Sequence, residues 1–68
     1  MNNPSEKAKE LVNKYINLVP EDFGGMDRDL AKQSALIVVD NLMTYAVRHG
    51  FKSMEDFYIK VQQEIEKL

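Results

Sequence analysis

The chain has 68 residues, 44% of them hydrophobic and 29% charged, with a net charge of −2 and no cysteine. That balance fits one soluble globular domain rather than a disordered segment. It excludes a disulfide framework and a thiolate metal site, and no apolar run approaches the roughly 18 residues of a membrane span. Met1-Asn2-Asn3-Pro4 lacks the basic-then-apolar layout of a signal peptide, so the cytoplasm is the expected compartment. A chain this short buries only about 60% of its unfolded surface, so its stability is expected to be modest unless self-association helps.

The first helix is expected over about residues 4–18. Asn3 suits the cap, Pro4 the first helical position, and Glu6 can reach back to the cap amide. Ala8, Leu11, Val12, Tyr15, Ile16 and Val19 fall on one side, while Lys7, Lys9, Glu10, Asn13, Lys14 and Asn17 fall on the other. Glu10 and Lys14 are spaced as a favourable pair. Pro20 should end the helix. The loop that follows, Val19 to Met26, has room for a short helical turn at 20–23 and a glycine pair that re-aims the chain. Phe23 and Met26 are expected to tuck beneath it onto the core.

A long central helix is expected over about residues 28–49. Ala31, Ala35, Leu36, Val38, Val39, Leu42, Met43, Tyr45, Ala46 and Val47 share an arc of roughly 200°, wide enough for two neighbours. The run Ala35 to Val39 also suits a buried strand, but its continuation in phase through Leu42, Met43 and Ala46 favours helix. Asp27 can cap the start with its carboxylate, and Asp29 places negative charge in the first turn. Gly50 suits the left-handed residue that closes a helix, with Phe51 folding back over Ala46.

A third helix is expected over about residues 54–67, capped by Ser53 with Asp56 three residues on. Met54, Phe57, Tyr58, Val61, Ile65 and Leu68 form a stripe about 100° wide, and Asp56 and Lys60 are spaced as an ion pair. The tight turn makes the second and third helices an antiparallel hairpin, with the first helix on the other flank of the second. The fold class is thus an all-α, three-helix domain. Leu11, Tyr15, Val38, Leu42, Val61 and Ile65 should be largely buried.

No reaction is written in these residues. His49 is the lone histidine, at a helix end where it interacts with the dipole, and without cysteine it cannot build a usual zinc site. Glu21, Asp22, Asp27 and Asp29 invite a calcium loop, but Ala31 stands where a ligand is needed, and helix-start charge explains them. Asp22-Phe23-Gly24 spells the kinase magnesium motif without the loops that give it meaning. No nucleophile elbow or phosphate-cradling loop is present, so no enzyme, cofactor, metal or small-molecule substrate is expected. The helix hairpin superficially resembles a helix-turn-helix. Its reading helix carries Glu55, Asp56, Glu64 and Glu66 against Lys60 and Lys67, and in the first helix Lys7, Lys9 and Lys14 alternate with Glu6 and Glu10.

Lys9-Glu10-Leu11-Val12, Lys14-Tyr15, Ala31-Lys32-Gln33, Ala35-Leu36-Ile37, Val39-Asp40, Val61 and Gln63-Glu64-Ile65-Glu66-Lys67-Leu68 form a series of blocks over most of the chain. In these the chain resembles short uncharacterised proteins of bacteriophages, prophages and mobile elements of Bacteroides-like bacteria. Relatives often have cysteine where this chain has Ser34, and a tryptophan-containing stretch near Phe57-Tyr58. The resemblance implies a bacterial or phage cytoplasmic setting and leaves the function open.

Three apolar residues lie off the core stripes: Leu30 and Ile37, one heptad apart on the polar arc of the central helix, and Ile59 on the outer face of the third. Single exposed apolar residues are ordinary. A Leu30–Ile37 seam bordered by Ser34, Asn41 and Thr44 could instead seat a partner helix or a second copy. The expected function is a small non-catalytic interaction module that binds a protein partner or itself. The alternative is a small regulatory protein associated with nucleic acid.

Overall fold

A computed structural model describes residues 3–18, 24 and 26–68. Three helices account for nearly all of them: α1 (Pro4–Ile16), α2 (Arg28–His49) and α3 (Lys52–Lys67). There is no strand among the described residues. The expected turn at 20–23, the contact of Phe23 and the helix-ending role of Pro20 fall outside them.

Each helix packs against both others. The first helix therefore does not merely flank the second; it lies against α2 and α3 together, closing a bundle. Asp29, Lys32, Gln33 and Leu36 from the start of α2 share a surface depression with Glu66 from the end of α3. The tail of α3 thus lies beside the head of α2, and the two form the expected antiparallel hairpin.

Ala8, Leu11 and Val12 of α1, Ala31, Ala35 and Val39 of α2, and Val61 and Ile65 of α3 make the buried core. The largest wholly buried side chains are Ile65, Val12, Val39 and Val61, so no aromatic ring is fully enclosed among the described residues. Tyr15, Ile16, Met26, Leu36, Met43, Phe57, Tyr58 and Leu68 pack around its rim. Met26 thus tucks onto the core as its position implies, while Tyr15 is only partly buried.

The central arc is narrower than its sequence suggests. Val38 and Leu42 are partly buried, and burial centres instead on Ala31, Ala35, Val39 and Ala46. Tyr45 and Val47, placed on the apolar arc by periodicity, are 50% and 61% exposed. Length explains the difference. At 1.5 Å per residue α2 runs about 33 Å, α1 about 20 Å and α3 about 24 Å. Neither neighbour spans all of α2, so its two flanks cannot be covered along the whole helix. Where one neighbour remains, only a stripe of about 100° is shielded.

The helix ends divide into two kinds. At α1, the Asn3 side-chain oxygen accepts the Glu6 amide at 2.8 Å, and its side-chain nitrogen donates to the Glu6 carboxylate at 3.3 Å. Pro4 follows in the first turn. At α2, Asp27 holds the cap position with extended backbone, but its side chain makes no capping bond. The helix α1 stops at Ile16, two residues short of its expected end, where the Asn17 amide donates to Asn13 at 3.0 Å.

Ser53 does not cap α3. The helix begins at Lys52, and the Phe51 carbonyl already accepts from the Glu55 amide at 3.0 Å. That bond places Ser53 inside the first turn, where a capping side chain has no role. Asp56 pairs with Lys52 at 3.5 Å rather than with Lys60, and Lys7 lies 3.3 Å from Glu10.

Candidate functional site: the outer face of α2

A helix advances about 100° per residue, so positions alternating four and three apart keep to one line. Leu30, Ser34, Ile37, Asn41, Thr44 and Arg48 do so along α2, and Asp27 begins the same line three residues earlier. The line lies opposite the buried stripe. Leu30 is 52% and Ile37 63% exposed, and every other position on it is exposed except Ser34, which is half-buried. The structure therefore brings Leu30 and Ile37 onto one open face.

The small polar residues of this face are less polar than their names. The Ser34 hydroxyl donates to the Leu30 carbonyl at 2.9 Å, and the Thr44 hydroxyl to the Asp40 carbonyl at 3.0 Å. Both hydroxyls are committed to their own helix, four residues back. What they offer outward is mainly carbon and little bulk, which permits close approach of another backbone. At the two ends the opposite holds: Asp27 and Arg48 have no ion-pair partner among the described residues. The face carries a free carboxylate at one end and a free guanidinium at the other.

Ile59 lies on α3, off this α2 line. It is 36% exposed in a shallow surface depression of about 290 Å³ lined by Asp56, Ile59, Lys60 and Gln63, all from α3. Charged and amide groups border the isoleucine there, and α2 supplies none of the lining.

A second exposed apolar group was not legible from periodicity. At the hairpin end the Tyr45 and His49 rings lie 4.3 Å apart, and Phe51 stands 5.8 Å from His49 and 6.1 Å from Tyr45. Phe51 is 49% exposed, and its ring lies beside these two. His49 is thus held in an aromatic cluster, beyond its place at the helix end. The four-residue spacing of Tyr45 and His49 was the available signal.

Among the described residues no group of three or more His, Asp or Glu side chains is placed to hold a metal ion. No helix of the described residues is long and apolar enough to cross a membrane. Comparison with protein-family models, curated proteins and solved structures finds no match.

Proposed function

We propose that this chain is a small non-catalytic interaction module that acts by self-association through the outer face of α2, in a phage or mobile-element setting and in the cytoplasm. One observation carries the reading: Leu30 and Ile37 stand in line on an open helix face whose intervening Ser34 has turned its hydroxyl inward. Surface area supports it. The accessible surface is 4885 Å², against about 4,400 Å² from the size scaling of folded monomers. A slender molecule of 43 × 20 × 19 Å has surface to cover and little core with which to cover it.

The test is Ile37→Glu, with sedimentation equilibrium for assembly and circular dichroism for helicity. The parent is expected to form a dimer at high concentration, and the variant to stay monomeric with its helicity intact. A monomeric parent at every concentration would remove the reading.

Association with nucleic acid has less to stand on. Lys7 is engaged by Glu10, Lys52 by Glu55 and Asp56, and Lys67 by Glu64. Phosphate binding draws on concentrated, unpaired positive charge and weakens steeply with salt. A gel shift at low salt that shows a complex, lost on adding salt, would restore that alternative.

A further inference from the structure

The outer face of α2 carries opposite charges at its two ends and an isoleucine, Ile37, near its middle. Its seven positions run acid, apolar, small, apolar, amide, small, base. We propose that the occupant of this face is α2 of a second copy, packed antiparallel with the two-fold axis passing close to Ile37. The inference rests on the self-association proposed above and adds the orientation and the residues that set it.

Charge decides the direction. Packed antiparallel, Asp27 of each copy comes opposite Arg48 of the other, so both ends of the seam carry an attractive pair. Packed parallel, Asp27 meets Asp27 and Arg48 meets Arg48, and both ends repel. Neither side chain has an ion-pair partner among the described residues of its own chain, so the antiparallel pairs form without breaking any. The middle fits the same register. Ile37 of the two copies meet at the axis, Leu30 lies opposite Thr44, and Ser34 lies opposite Asn41. At each of the last two crossings a side chain whose hydroxyl is spent on its own helix faces a larger one, so large meets small. A two-fold contact requires this self-complementarity, since every residue pair off the axis occurs twice. An alternation of four and three along the seam is the spacing of helices that pack side by side at a shallow angle.

The chain has no cysteine, so single cysteines report orientation cleanly. Ser34→Cys and Asn41→Cys are made separately, mixed in equal amounts and oxidised gently, which leaves Asp27 and Arg48 untouched. Antiparallel packing predicts that the mixed Ser34–Asn41 disulfide clearly exceeds the one-half share of random pairing. A predominance of the two matched disulfides would overturn the arrangement while leaving self-association standing. A parent that sediments as a monomer throughout would remove both. Charge exchange gives an independent readout: Asp27→Arg and Arg48→Asp should each weaken the dimer about tenfold, and the double variant should recover most of the loss. A double variant as weak as the singles would overturn the proposed pairing.

Discussion

The Phe51 amide donates to the Ala46 carbonyl at 2.8 Å, across a Gly50 whose φ is +71°. With the Gly50 amide reaching the Val47 carbonyl at 3.3 Å, this closes α2 by the paired bonds that satisfy otherwise orphaned carbonyls. The same turn leads directly into α3, so the hairpin depends on one backbone conformation. A Cβ at Gly50 would meet open space, and the cost of replacing it is therefore conformational rather than steric. Gly50→Val should destabilise by more than about 1 kcal/mol, and Gly50→Asn by less, since asparagine tolerates the left-handed region. Equal denaturant midpoints for both variants and the parent would contradict this.

The core and the seam should respond oppositely to truncation. Ile65 is wholly buried, and Ile65→Ala should cost about 2–5 kcal/mol, a large part of the roughly 3–10 kcal/mol expected for 68 residues. Ile37→Ala, measured on dilute protein, should change stability by less than about 0.5 kcal/mol, because the side chain is mostly in water and alanine is the better helix former. Leu42, only partly buried, should fall between them. Urea unfolding of the three variants gives the order directly.

The capping residues offer a sharper contrast, because the sequence treats them alike and the structure does not. Asn3→Ala removes a 2.8 Å bond to the Glu6 amide and should cost about 0.5–2 kcal/mol. Ser53→Ala removes no capping bond and should alter stability by less than about 0.5 kcal/mol. A comparable loss at Ser53 would mean that α3 starts two residues later than Lys52, at Met54.

Why some of this was legible follows from range. Helix identity and the closure at Gly50 are local, set by hydrophobic period and by a residue that adopts positive φ at little cost, so the three helices and the hairpin follow from neighbouring residues. Which apolar positions are buried is not local. Tyr45 and Val47 have the period of core residues, and only the shorter reach of the neighbouring helices leaves them in water. Ser53 failed for a related reason: the Phe51 carbonyl had already opened the helix. At the candidate site, the exposure of Leu30 and Ile37 was readable from their phase on α2. That the Ser34 and Thr44 hydroxyls point back onto the helix was not.

Self-association and stability are linked, because a dimer that forms only from folded chains raises the unfolding temperature as concentration rises. The most direct test of the central claim is therefore Tm, followed by circular dichroism over about a hundredfold range of concentration, for the parent and for Ile37→Glu. Tm of the parent should climb with concentration, Tm of Ile37→Glu should stay flat, and the two should converge at the dilute end. A parent whose Tm does not move, or a variant whose Tm climbs in step with it, would contradict the claim that the outer face of α2 joins two copies.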